Sequence, residues 1–191
     1  MTDSPGTAKR GKCERLIDGA RQALHEQGVQ TTTIADVAEA ADVPVGNVYY
    51  YFKTKDDLVR AVIDSRADEI RAMLRSFEGR RSPGARLKAL ARSWIDVREL
   101  VARYGCPLGS LSSELDKRED GVHREAAKVM SLVIDWAESQ FREMGRRDAR
   151  ELAITLFAGV QGAALLANTF RDPEIMTGQV RRLERWIDSL A

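Results

Sequence analysis

The stretch from Thr32 to Lys55, TTIADVAEAADVPVGNVYYYFKTK, limits the fold of this chain more than any other. It reads as two short helices joined by a tight turn, with the second facing outward. Thr33 is a strong N-cap residue, and Asp36, three positions on, stands in for the usual capping-box glutamate. The first helix therefore begins at Ile34. Its apolar positions Ile34, Val37, Ala38 and Ala41 form one stripe at helical spacing, while Asp36 and Glu39 point to water. Asp42 then supplies a residue type that tolerates left-handed backbone, Val43 plugs the corner, and Pro44 pre-sets the first turn of the next helix. A turn this short between two helices is the helix-turn-helix arrangement.

The second helix, about Pro44 to Phe52, has an unusual composition for a core element. Val48 and Phe52 lie one turn apart and suit burial, which leaves Val45, Gly46, Asn47, Tyr49, Tyr50 and Tyr51 facing largely outward. Three consecutive exposed tyrosines make sense as phenol donors to phosphate oxygens, with rings that pack on sugars or a thymine methyl. Gly46 costs about 1 kcal/mol of helix stability relative to alanine, and its bare backbone allows close approach to base edges. Asn47 can make a two-point contact to adenine. Lys53 and Lys55 follow as phosphate clamps at the helix end, where cations also complement the helix dipole. Taken singly, Thr33 is most simply a cap and Lys55 a solvated charge; at this joint spacing the DNA-contact reading takes in Thr33, Val45, Gly46, Asn47, Tyr49, Tyr50, Tyr51, Lys53 and Lys55.

The pattern T-T-I-x-x-V-A-x-x-A-x-V-P-x-G-N-V-Y-Y-Y-F-K-T-K-D-D-L, starting at Thr32, resembles the DNA-binding signature of the TetR family of bacterial transcriptional regulators. The resemblance extends from about Lys12 to Leu58. It departs at Asp42, where the family usually has glycine.

The 191 residues are 43% hydrophobic and 31% charged, as in an ordinary soluble globular protein, and the net charge is only +1. Attraction to nucleic acid therefore has to come from the distribution of charge. Lys9, Arg10, Lys12 and Arg15 cluster at the amino end, and Lys53 and Lys55 after the second helix. The salt dependence of DNA binding should be shallower than for a strongly basic protein. Cys13 and Cys106 have no metal-ligand or redox spacing, so neither a zinc site nor a disulfide framework is expected, and a reducing cytoplasm fits. The amino end MTDSPGTAKRGK has no apolar segment of the kind a signal peptide needs and reads as a flexible arm.

The rest of the chain predicts helices throughout, and hence an all-α fold. Residues 1–55 make an arm and a three-helix DNA-binding module, and residues 56–191 a connecting helix and a ligand-binding and dimerisation domain. Leu16, Ile17, Ala20, Ala23 and Leu24 keep helical spacing from Lys12 to Gln27, and Gly28 closes that helix. His25 is most simply an edge residue. Asp56 to Phe77 reads as one long amphipathic lever, and GRRSPG (residues 79–84) as a break. A single helix is expected over Ala85 to Tyr104, with Val97 on its buried face, then a short helix after Gly105-Cys106-Pro107 and another over Val122 to Met144.

Leu152 to Phe170 contains no charged residue. Its length raises the question of a membrane span, but Thr155, Gln161, Asn168 and Thr169 favour a helix buried on most sides. A helix this apolar needs cover on its far side, and a second copy of itself is the simplest cover. With a last helix opened by Asp172 as cap and Pro173 as first residue, two helices per chain can form a four-helix bundle across a two-fold axis. Such a homodimer presents two recognition helices to successive major grooves and implies a palindromic double-stranded operator.

Trp94, Tyr104, Met130, Trp136, Phe141, Phe157 and Gln161 suit a cavity with an adaptable apolar wall and one polar handle. The segment from Tyr104 to Glu114, YGCPLGSLSSE, is similar to a stretch of the LmrA/YxaF-like branch of TetR regulators. That similarity implies a small, apolar or aromatic effector that releases a repressor from DNA. An enzyme is not expected, since Gly109-Ser110-Leu111-Ser112 lacks the glycine pattern of a nucleophile elbow, and no cofactor is implied. Two other readings are a redox-sensing regulator acting through Cys106 and a helical adaptor using the exposed tyrosines for protein binding.

Overall fold

The computed structural model describes residues 11–116 and 121–190, so Lys9 and Arg10 of the basic arm lie outside the described residues. Among the described residues ten helices run in order: α1 (Lys12–Gln27), α2 (Ile34–Ala40), α3 (Val45–Tyr51), α4 (Lys55–Phe77), α5 (Pro83–Asp96), α6 (Arg98–Tyr104), α7 (Pro107–Leu115), α8 (Val122–Glu143), α9 (Ala149–Phe170) and α10 (Glu174–Asp188). No strand occurs among the described residues. The fold is all-helical, an amino-terminal helix-turn-helix unit followed by a larger helical unit. The chain divides into two compact units at Val62/Ile63, inside α4, whose first turns carry the buried Leu58, Val59 and Val62.

In the first unit, α1 buries Leu16, Ala20, Ala23 and Leu24 and ends at Gly28, whose φ of 86° and amide bond to the Leu24 carbonyl (3.1 Å) close the helix. Gly19 lets α2 approach: a Cβ there would lie 2.9 Å from the Ala41 amide nitrogen and 3.1 Å from the Val37 carbonyl. The buried Thr32 hydroxyl sits beside the Gly28 carbonyl (2.7 Å) and the Ala23 carbonyl (3.1 Å), fixing the entry to α2. A Thr-x-x-Asp capping pair opens two helices. Thr33 and Asp36 exchange bonds at the start of α2. Thr54 and Asp57 do so at the start of α4, with the Thr54 amide on Asp57 Oδ2 at 3.0 Å and the Asp57 amide on Thr54 Oγ1 at 3.1 Å. At about 1.5 Å per residue, α4 is about 34 Å long.

In the second unit, Ser82 caps α5 through the Ala85 amide (3.2 Å), with Pro83 as its first residue. The single helix expected over Ala85 to Tyr104 is two. Val97 leaves the helical region at φ −112°, ψ 10°, and is 40% exposed rather than on the buried face. The spacing of Trp94, Val97, Val101 and Tyr104 continues across this break, so periodicity does not reveal it.

α9 starts a turn before Leu152, because Arg150 is held in that turn by Asp135 and by Glu138 (2.9 Å) of α8. It packs against α8, α6 and α10. It is not buried on most sides within one chain: Ile154, Leu165, Leu166 and Phe170 are 47–68% exposed, Leu166 on the side next to α10. By length and composition α9 is long and apolar enough to cross a membrane. Pro173 occupies the cap position of α10 rather than its first turn, and Asp172 Oδ1 accepts from the Glu174 amide at 2.9 Å.

Candidate nucleic-acid interface

The turn between α2 and α3 is built by Asp42, whose φ is 51°. Arg15 of α1 donates from Nη1 to the Asp42 carbonyl at 3.1 Å, and its guanidinium lies 3.6 Å from the Asp42 carboxylate. The Val43 amide donates to the Ala38 carbonyl at 2.9 Å, closing the corner over the buried Val43 side chain. α3 then runs from Val45, with Val48 and Phe52 buried as its footing. The remaining face is open. Val45, Tyr49, Tyr50 and Tyr51 are 39–77% exposed, Asn47 is half-buried, and nothing lies within 4 Å of a Cβ built on Gly46. Tyr50 and Tyr51 meet edge to face with centroids 5.0 Å apart, which orients two phenols without burying either.

The flanking residues have structural partners. Lys53 Nζ donates to the Tyr49 carbonyl at 2.9 Å, capping the end of α3. Lys55 Nζ donates to the Gln30 carbonyl at 3.2 Å. Each ammonium has three protons and so keeps donors for a phosphate. Thr33 differs: its hydroxyl donates to Asp36 Oδ2 at 2.7 Å and accepts from the Asp36 amide at 3.2 Å, so its single proton is committed to the cap. The Thr33 amide also donates to Asp36 Oδ2 at 2.7 Å. These bonds hold the Asp36 carboxyl below its ordinary value of 3.8.

Arg15, read from the sequence as part of a basic cluster, and Thr32, the first residue of the motif, shape this interface by anchoring the turn and the entry to α2, and Gly19, which no motif marks, makes the room for α2. A glycine between apolar positions in mid-helix was the available signal for Gly19.

In the second unit a cavity of about 690 Å³ lies among the 105–114 segment, α8 and α9. Met130, Phe157 and Gln161 line it, together with Cys106, Gly109, Ile134, Ile154, Leu165 and Asn168. The other expected wall residues sit elsewhere. Trp94 meets Phe157 edge to face at 6.2 Å between centroids, Trp136 pairs with Phe77 at 6.0 Å, and Phe141 with Trp186 at 5.9 Å. Tyr104 lies under the Arg103 guanidinium, 5.0 Å from its ring centroid. At the end of α9, Asn168 Nδ2 and Arg171 Nη1 donate to the Ala102 carbonyl at 3.1 and 3.2 Å.

Residues 16–62 match the family described as "Bacterial regulatory proteins, tetR family", and residues 83–183 match "Tetracyclin repressor-like, C-terminal domain". Among relatives, the HTH-type transcriptional regulator TtgR of Pseudomonas putida is 26% identical over 186 residues, covering 92% of this chain and 87% of that protein. The HTH-type transcriptional repressor DhaR of a Mycobacterium species is 26% identical, covering 84% of each chain. The crystal structure of a regulatory protein TetR from Rhodobacter sphaeroides superposes with a TM-score of 0.79 at 25% identity, covering 90% of this chain and 96% of that one. These relatives are transcriptional regulators rather than enzymes. With both units matched in order along the chain, this protein belongs to the TetR family of bacterial transcriptional regulators.

Proposed function

We propose that the protein is an effector-responsive repressor that binds a palindromic operator as a homodimer in the cytoplasm. The observation that carries the DNA contact is α3 itself. Its buried footing is only Val48 and Phe52, while Val45, Gly46, Asn47 and three tyrosines are presented outward on a short helix fixed by the Asp42 turn. In this reading Asn47 and Gly46 approach base edges, and Tyr49, Tyr50, Tyr51, Lys53 and Lys55 hold phosphates.

The exposed apolar face of α9 joins the face of α10 in a four-helix bundle with a second copy, and the bundle sets the spacing of the two recognition helices. The cavity bounded by Met130, Phe157 and Gln161 takes a small apolar or aromatic effector, as the similarity of the Tyr104–Glu114 segment to the LmrA/YxaF-like branch also suggests. The effector changes the orientation of α4, and the recognition helices then no longer fit both half-sites. A hundredfold preference of the effector for the released geometry corresponds to about 2.7 kcal/mol of coupling.

A genome-wide footprint of the protein tests this reading, taken with and without a panel of small aromatic compounds. Paired, roughly symmetric half-sites that vanish with a compound are expected. Footprints that no compound weakens would leave the DNA-binding role standing and remove the effector.

A further inference from the structure

The cavity wall contains one polar group whose bonding is incomplete. Gln161 lies at mid-helix in α9, and its Nε2 is buried without a hydrogen-bond acceptor among the described residues. A buried amide donor left unpaired is unfavourable, and native proteins keep few of them. The amide is seated against α7: a Cβ on Gly109 would lie 2.9 Å from Gln161 Oε1, so the glycine makes the room in which the carboxamide sits. The terminal torsion of a glutamine is broad, so a rotation of the carboxamide can bring the N–H to a ligand in the cavity. The α8 and α9 side of the wall is apolar, with Met130, Ile134, Ile154 and Phe157, the α7 side carries Ser110, Ser112, Ser113 and Glu114, and no lysine or arginine among the described residues lines the cavity. The neighbouring carboxamide, Asn168, already gives its Nδ2 to the Ala102 carbonyl at 3.1 Å.

Resting on the effector reading above, we propose that the cavity selects uncharged aromatic compounds that carry a hydrogen-bond acceptor oxygen, a ketone or similar carbonyl, and that Gln161 Nε2 is the donor that reads it. An organic anion is disfavoured because Glu114 lies on the cavity wall and no cation among the described residues lines it. A pure hydrocarbon fits the apolar part but leaves the amide unpaired.

The test is calorimetric titration of the full-length protein with benzophenone and with diphenylmethane, which share two phenyl rings and differ in the carbonyl. Wild-type protein should bind benzophenone at least about fivefold more tightly. The ratio should fall to near one in Gln161→Leu and in Gln161→Met, the second guarding against a packing defect in the first. Gly109→Ala should lower the ratio with Gln161 itself unchanged in sequence, by pushing the carboxamide off its seat. Equal binding of the two compounds to wild type, or a preference that survives both Gln161 substitutions, would overturn the proposal while leaving an aromatic-binding cavity. Failure of benzophenone to bind would also overturn the proposal, and the effector reading would then stand or fall on the footprint with the compound panel.

Discussion

Arg15 holds the carbonyl of Asp42, twenty-seven residues away, at 3.1 Å from Nη1. The two residues therefore share one task, because Asp42 at φ 51° swings α2 into α3 and Arg15 anchors that turn to α1. Removing the anchor in Arg15→Ala should cost about 0.5–1.5 kcal/mol, the range for one hydrogen bond. Asp42→Gly, which removes the Cβ from a left-handed position, should stay within about 1 kcal/mol of wild type on the stabilising side. Amide hydrogen exchange of Val37–Asp42 reads both, since the tryptophans at 94, 136 and 186 all lie in the other unit.

Two glycines should respond oppositely to alanine. At Gly19 the added Cβ meets backbone of α2 at 2.9 and 3.1 Å, which no rotamer change relieves, so Gly19→Ala should destabilise the first unit by about 1–3 kcal/mol. At Gly46 nothing stands within 4 Å, so alanine should add up to about 1 kcal/mol of helix stability while weakening duplex binding by blocking close approach. Thermal unfolding by circular dichroism, paired with a duplex titration, separates the two effects.

Much of this architecture was legible in the residues. Thr33, Asp42 and Pro44 carry strong local signals, and the boundaries of α2, α3 and α4 follow from them to within a residue. The break at Val97 was not legible, because apolar spacing runs through it unchanged. The cavity was only partly so. Aromatic residues at helical spacing do not say which of them face a cavity, and Trp94, Trp136 and Phe141 pair with other aromatics instead. Gly109 and Leu165 line the cavity without looking like ligand residues, one by giving space and the other from an exposed helix face.

The capping pair at α2 makes a pH prediction. Asp36 has a folded-state value below its ordinary 3.8, first because of the Thr33 backbone amide and then its hydroxyl. Its contribution is therefore fully present well above pH 3.8 and is lost as pH falls through that value toward the lower folded one. Asp36→Asn should flatten the acid limb of the stability profile in this window and leave the neutral-to-alkaline limb parallel to wild type. Acid titration followed by hydrogen exchange at α2 measures it.

Leu166 lies on the exposed face of α9 beside Gly162 and the α10 residue Gly178, away from the cavity. A charge introduced there in Leu166→Glu should give a folded monomer, because each charge would be buried against its symmetry mate in the bundle. Light scattering reads the mass. Circular dichroism should show helix content unchanged, and operator affinity should fall with the loss of the dimer.

The DNA-contact claim rests on α3, and the most direct test is fluorescence anisotropy on a duplex recovered from a random pool by the wild-type protein. The Asn47→Ala/Tyr49→Ala double variant alters one half-buried and one exposed side chain and leaves the Val48 and Phe52 footing in place. Loss of about one base contact and one phosphate contact per helix should weaken binding by at least about tenfold with the fold retained. Undiminished affinity in a correctly folded double variant would contradict the account.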